Sequence, residues 1–284
     1  MKFKHLSFIF FCLVTCLVAP AVHAQVRIIT AGSVITETVC ALGDCDKIIA
    51  SDRTSLYPAH IQQLPSIGYR TGIQAEGIIS LKPTLVIAEK DYVSDAVLQQ
   101  LSQSGIKLVI VDRKLNFEDT KKIIQQIGTV LGREQEAKKL IAKNEAEVAE
   151  ANGWLKKATA SPRVLGIYNH GTATMSMAGK ESFAEILNYV GALNAVSGVD
   201  RYKPLNAEAL IAANPDYLLM LSTGVETIGG LDGVLKIAGV AQTTAGIKKQ
   251  ILIIDSLKLT NFGPRFGETV KELVLLLHPE LRAK

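Results

Sequence analysis

Short apolar runs and longer mixed stretches alternate along nearly the whole chain. The stretches 26–30, 48–50, 84–88 and 107–111 are β-branched or aliphatic runs of strand length, bounded by Gly, Pro or charged residues. Between them, 34–42, 74–81 and 95–104 set apolar residues on one side at helical spacing, and Gly43, Pro83 and Gly105 close them. This alternation predicts a parallel sheet with helices on its faces. From 117 the pattern changes. A helix is expected over 118–131, broken at Gly128 and Gly132. A second, over 133–157, is rich in Ala, Glu and Lys, with Glu134 and Lys138 at a supporting i,i+4 spacing. A polar helix of that length fits a bridge between two lobes; a coiled coil would need sustained heptads, which it lacks. The alternation then restarts, with strands expected at 163–168, 216–220 and 250–254 and helices at 182–190, 207–213, 231–237 and 266–277.

The two halves echo one another. Ala75-Glu76-Gly77-Ile78-Ile79-Ser80-Leu81-Lys82-Pro83-Thr84-Leu85-Val86 lines up with Ala207-Glu208-Ala209-Leu210-Ile211-Ala212-Ala213-Asn214-Pro215-Asp216-Tyr217-Leu218. Each has Ala-Glu, an apolar helical turn, a proline and a buried strand. The expected fold is α/β. Two lobes, each a mostly parallel sheet flanked by helices, are joined by one long helix and leave a cleft between them. The corresponding segments are 25–132, 133–158 and 159–284.

The first residues do not belong to that pattern. Met-Lys-Phe-Lys-His, an apolar run over 6–22 and the small residues before Gln25 read as a secretory signal peptide over 1–24, cut after Ala24. Pro20 and the shortness of the run argue against a membrane anchor, and Leu13-Val14-Thr15 is a poor acylation box for Cys16. About 260 residues remain, enough for two domains. With 48% hydrophobic and 20% charged residues the chain can bury a large core, and a net charge of +4 makes no case for nucleic acid. Cys40 and Cys45 remain after the cut, as a short disulfide in an oxidising compartment or as two free thiols.

Candidate chemistry gathers between 52 and 83. Tyr57 precedes Pro58, which places its phenol on an extended loop after a strand, where open parallel sheets collect ligands. A tyrosine there is either a ring packed on the surface or a hard oxygen ligand for ferric iron, a known mode of haem ligation. The chain contains no Gly-x-Ser-x-Gly elbow, Walker loop or Gly-x-Gly-x-x-Gly, so an exported α/β enzyme is a rival without a motif. Its three histidines beyond the leader are far apart, a poor basis for a zinc or manganese carrier.

Taken together, the export signal, paired Ala-Glu segments and bridging helix resemble the substrate-binding proteins of ABC importers that have a single backbone helix. Ser55-Leu56-Tyr57-Pro58, Leu64-Pro65 with Gly68-Tyr69, Ala75-Glu76-Gly77 with Leu81-Lys82-Pro83, Phe262-Gly263-Pro264-Arg265 and Leu277-His278-Pro279 look like the periplasmic haem-binding proteins among them. The resemblance implies a non-enzymatic periplasmic carrier of ferric haem b, with Tyr57 as iron ligand and His170 as a possible second. It implies an inner-membrane ABC permease dimer with its ATPase as partner, and an outer-membrane haem receptor upstream. Glu76 and Glu208 match the glutamates that dock on the permease, a role compatible with complementing helix dipoles. Arg70 and Arg265 are the candidates to support the tyrosinate or the propionates; Arg70 stands one place before the family's usual arginine, where this chain has Thr71. Tyr69, Tyr168, Met175, Met177 and Phe262 are candidate pocket walls. Cobalamin or a ferric siderophore on the same fold is the alternative cargo.

Overall fold

The computed structural model describes residues 26–169, 175–178, 182–199 and 202–282. The expected leader and its cut after Ala24 lie outside the described residues, as does His170. The first lobe is built from β1 (Ile28–Ala31), α1 (Ser33–Ala41), β2 (Ile48–Ser51), α2 (Ala75–Ser80), β3 (Leu85–Glu89), α3 (Asp95–Gln103), β4 (Lys107–Val111) and α4 (Phe117–Leu131). Its four strands pair in parallel in the order β2-β1-β3-β4. Successive strand residues point to opposite faces, and both faces here are apolar because both are covered. Ile28, Leu85 and Ile87 meet α1 and α4 through Ile35, Val39, Ile123 and Ile127. Ile29, Ala31, Val86 and Ala88 face the other way, onto Ile78, Val97 and Leu101.

The helix starts have local causes. Ser94 and Asn116 accept hydrogen bonds from Val97 N and Asp119 N, capping α3 and α4. Gly128 does not break α4, contrary to the expectation from sequence. It lies inside the helix because α5 (Glu134–Leu155) crosses there: a Cβ on Gly128 would come within 2.5 Å of the Ala137 Cβ. The break is at Gly132, in the left-handed region at φ 68°. The helix α5 serves both lobes, with Ala137, Leu140 and Ile141 in the first core and Val148, Ala151, Trp154 and Leu155 in the second.

The second lobe contains β5 (Arg163–Asn169), β6 (Met175–Ala178), α6 (Ser182–Tyr189), β7 (Leu193–Asn194), β8 (Tyr202–Pro204), α7 (Ala207–Ala213), β9 (Tyr217–Leu221), α8 (Ser222–Thr227), α9 (Gly230–Leu235), α10 (Thr244–Ile247), β10 (Ile251–Ile254), α11 (Ser256–Asn261) and α12 (Phe266–Leu277). Its strand order is β10-β9-β5-β6-β8, with β7 also on β5. The β10, β9, β5 and β7 pairings are parallel, while β6 runs antiparallel to β5 and β8 runs antiparallel to β6. That antiparallel strip was not expected from sequence; Met-Ser-Met-Ala and Tyr-Lys-Pro carry no β-branched or aliphatic run that would register as a strand.

The internal repeat extends to backbone detail. Ile28 pairs with Leu85 as Val164 pairs with Tyr217. Lys82 and Asn214, each just before the shared proline, are both left-handed, at φ 49° and 38°. Thr84 and Asp216 staple their lobes alike. Each donates its amide to the carbonyl at the start of the first strand, Arg27 at 2.9 Å and Arg163 at 2.8 Å, and accepts that residue's amide on its side chain.

Candidate functional site

The loop after β2 is organised by a buried carboxylate. Asp52 Oδ1 accepts from the Gly32 amide at 2.9 Å and the Ser55 hydroxyl at 2.7 Å, and Oδ2 accepts from the Thr54 amide, the Thr54 hydroxyl and the Tyr92 hydroxyl. Burial, followed by the hydrogen bond to Asp52, holds the Tyr92 phenol far above its ordinary value. The chain is thereby pinned just before Tyr57, whose bond to Pro58 is cis. Beyond Pro58, the turn Ala59–Gln63 brings His60 Nε2 within 3.3 Å of Cys45 Sγ, and Cys45 is joined to Cys40 in a disulfide. Tyr57 is left 45% exposed between two fixed points.

One face of its ring is not open to water. The guanidinium carbon of Arg265, from the second lobe, lies 4.0 Å from the ring centroid. A cation so placed is attracted by the ring's negative face and can compensate the negative charge of a coordinating tyrosinate. Arg265 is aimed by Glu37 on α1. Its Nε donates to Glu37 Oε2 at 3.1 Å and its terminal nitrogen to Oε1 at 2.8 Å. Asn261 adds a donor at 3.1 Å and is itself held by the Ser33 hydroxyl. Burial pushes the Glu37 carboxyl above its ordinary value, with Arg265 offsetting part of that. Burial also opposes the charge on Arg265, but the bonds to Glu37 outweigh it and its net shift is upward. Three donors converging on one carboxylate fit its ionised form, and removing one partner of such a buried pair costs about 3–5 kcal/mol.

The segment carrying Arg265 is tied to the first lobe and the spine at several points. Arg113 donates to the carbonyls of Thr260 and Asn261, Thr120 to that of Phe262, and Asn144 to that of Pro264, while Asn144 accepts the Gly267 amide. Gly263 lets this turn approach α1, since a Cβ there would sit 3.3 Å from Val34.

In the second lobe two phenol rings come together. Tyr168 on β5 and Tyr202 on β8 lie with ring centroids 5.0 Å apart. Burial, then Tyr202 and Tyr69, push the Tyr168 phenol up to about 12. Tyr69 is exposed and meets Tyr92 edge-on at 6.2 Å. Arg70 is not over Tyr57; it is exposed and stacks on Tyr92 at 4.9 Å and Tyr69 at 5.8 Å.

Two expected wall residues are elsewhere. Phe262, 1% exposed, packs on Phe266 inside the second core, and Met177, 2% exposed, lies in the cluster beneath β5 and β9. Apolar side chains at strongly buried backbone positions have no face left for a ligand. Met175 is partly buried and packs against the same cluster. Glu76 and Glu208 are exposed, each in the first turn of its helix and at matching places in the repeat. His278 is buried, with Nε2 2.9 Å from the Val190 carbonyl oxygen. Among the described residues, no group of three or more His, Cys, Asp or Glu could hold a metal ion, and no helix is long and apolar enough to cross a membrane.

Residues 28–257 match the family model described as periplasmic binding protein. The chain belongs to that family. Its members are transport binding proteins, not enzymes. Among solved structures, the periplasmic heme-binding protein RhuT from Roseiflexus sp. RS-1 in apo form is 35% identical, with a TM-score of 0.84 over 90% of this chain and 99% of that one. The periplasmic heme-binding protein BhuT in complex with two hemes is 30% identical, with a TM-score of 0.82 over 90% and 98%. Among curated relatives, the uncharacterized ABC transporter substrate-binding lipoprotein YvrC of Bacillus subtilis is 26% identical over 86% of this chain and 77% of its own length. A vitamin B12-binding protein of Photorhabdus laumondii is 25% identical over 72% and 74%. The chain is thus a binding protein of an ABC uptake system, as the resemblance implied.

Sequence reasoning did not assign roles to Asp52, Glu37 or Tyr202. Two of them left a signal. Asp-x-Thr-Ser is a pattern in which a side chain caps its own turn, and Glu37 interrupts the otherwise apolar face of α1.

Proposed function

We propose that this periplasmic binding protein captures ferric haem between its lobes, with Tyr57 as the iron ligand, and delivers it to an ABC permease. The observation that carries this reading is the half-exposed Tyr57 ring with the Arg265 guanidinium 4.0 Å from its centroid. A phenolate is a hard ligand for ferric iron, and the arginine offsets its charge. A flat apolar macrocycle suits a cleft whose other wall offers Tyr168 and Tyr202. Arg70 is within the same region to meet a propionate. His170 is the proposed second ligand from the opposite lobe. Glu76 and Glu208, one on each lobe, give two charge-assisted contacts for a roughly twofold permease. The leader directs the chain to the periplasm and is removed after Ala24, with an outer-membrane receptor as the upstream source of haem.

A hemin titration of the mature protein followed by absorbance tests the cargo. A saturable ferric-tyrosinate spectrum is expected, lost in Tyr57→Ala, with His170→Ala deciding the second ligand. In cells, Glu76→Ala with Glu208→Ala is expected to abolish uptake without changing hemin affinity. Weak, identical hemin binding in wild type and Tyr57→Ala would sink the haem reading. The likeness to a vitamin B12-binding protein supports cobalamin as the second reading, and the same titration with cyanocobalamin distinguishes it.

A further inference from the structure

Glu37 has no place in the function just proposed, yet it is among the most buried charges in the chain. It is 3% exposed on the apolar side of α1, between Thr36 and Thr38, themselves fully buried. Everything it bonds comes from the other lobe: two nitrogens of Arg265 and the amide of Asn261. The carbon of that same guanidinium lies over the Tyr57 ring, 4.0 Å from its centroid. The connection therefore leaves the first lobe at Glu37, crosses to Arg265 and returns to the first lobe at Tyr57.

We propose that Glu37 is a positioning residue of the ligand site: it holds the Arg265 guanidinium over the Tyr57 ring and so sets how firmly the tyrosine oxygen grips its metal. A bidentate carboxylate fixes both the location and the plane of a guanidinium, which a single contact cannot do. An arginine with its five donors free to turn would seek water and leave the ring. With the segment 260–267 hydrogen-bonded to Arg113, Thr120 and Asn144, neither end of the pair is on a loose element. The Tyr57–Arg265–Glu37 unit is consequently held by contacts within the protein itself, and preorganisation of that kind lowers the cost of binding.

The proposal rests on the reading of Tyr57 as the metal ligand, so its test has one arm with ligand and one without. In hemin-loaded protein, Glu37→Gln is expected to shift the iron–tyrosinate stretching band in the resonance Raman spectrum. It should also speed hemin loss to apomyoglobin about tenfold, the scale of one charge-assisted contact, with Glu37→Asp falling between. In an Arg265→Met background, Glu37→Gln should change the rate no further, because the carboxylate acts through the arginine. Additive rate effects, or an unchanged Raman band, would overturn the proposal. In ligand-free protein, the Arg265 Nε–H resonance should carry a ring-current shift that disappears in both Tyr57→Leu and Glu37→Gln. If hemin does not bind wild type, the cargo reading fails while this last comparison still decides the role of Glu37. A shift retained in Glu37→Gln would reject it.

Discussion

The two lobes share one α/β step and differ in what they place over the cleft. From Ala75 and from Ala207 onward, helix, left-handed residue, proline and strand follow in the same register, with the same staple to the lobe's first strand. That shared unit also sets one exposed glutamate on each lobe. The additions are unlike. The first lobe adds the 52–69 loop, drawn tight by Asp52 and carrying Tyr57 against a cation. The second adds the antiparallel strip of β6 and β8, carrying an uncharged pair of phenol rings. A near-symmetric scaffold thus acquires two chemically different walls. One is polar and braced by buried hydrogen bonds; the other is a pair of phenol rings. The difference teaches that here one repeated unit builds both lobes, and the departures from the repeat give the two lobes different chemistry.

The sharpest way to break this comparison is to unbrace the first wall. Asp52→Ala leaves the Tyr92, Thr54 and Ser55 hydroxyls and the Gly32 and Thr54 amides without their common acceptor. A loss of about 3 kcal/mol is expected, with hemin binding lost along with the loop. Urea unfolding and hemin titration measure both. Trp154, the single tryptophan, packs on the second core, so its native fluorescence should stay as in wild type. A large change there would mean that the lobes are not separable in this way.

A milder perturbation acts at the other end of the same loop. The Cys40–Cys45 bridge closes a short segment, with a sequence separation of 5, and touches His60. Reduction, or Cys40→Ser with Cys45→Ser, should cost about 2 kcal/mol through the unfolded chain. Hemin affinity should fall by less than in Asp52→Ala, because Asp52 holds the side nearer Tyr57. Equal losses of affinity in both would erase the distinction between the two anchors.

The smallest effect is expected furthest from the cleft. Burial would raise the Asp44 carboxyl, but hydrogen bonds from Arg133 and Lys47 outweigh it and hold the group below its ordinary value of 3.8. The folded chain therefore takes up this proton less readily than the unfolded chain. The stability so gained is complete above the ordinary value and fades as pH falls through the lower folded one. The urea midpoint of wild type should exceed that of Arg133→Gln near neutrality, with the gap closing on acidification below 3.8. A gap that persisted unchanged into acid would remove Asp44 as its source.

Much of the scaffold was legible because it obeys simple periods. The last helix, 266–277, runs as its apolar spacing predicts, and the repeat announced both lobes. The antiparallel strip was not legible, since Met-Ser-Met-Ala and Tyr-Lys-Pro lack the β-branched or aliphatic run by which the other short strands announce themselves. Gly128 misled because a glycine in a helix reads as a stop, whereas here it marks the closest approach of two helices. Phe262 and Met177 misled for a related reason: an aromatic or a methionine near a site motif reads the same whether it faces ligand or core. Tyr57 and Arg265 stood out from the sequence as candidates, but the contacts made by Asp52 and Glu37 did not. Those contacts join residues 40 and 228 positions apart, and no local pattern encodes such a span.

The helix α5 has a mechanical consequence. Its 22 residues make a rod of about 33 Å, rooted in one core at Ala137 and in the other at Val148 and Ala151. It contains no proline, and its one glycine, Gly153, is two residues from its end, so it has no place to fold sharply. Sugar-tong elasticity, rather than the swing of a door, describes the motion such a spine permits. A cargo held between the lobes would then be released by a small flexing of the spine rather than by a wide opening.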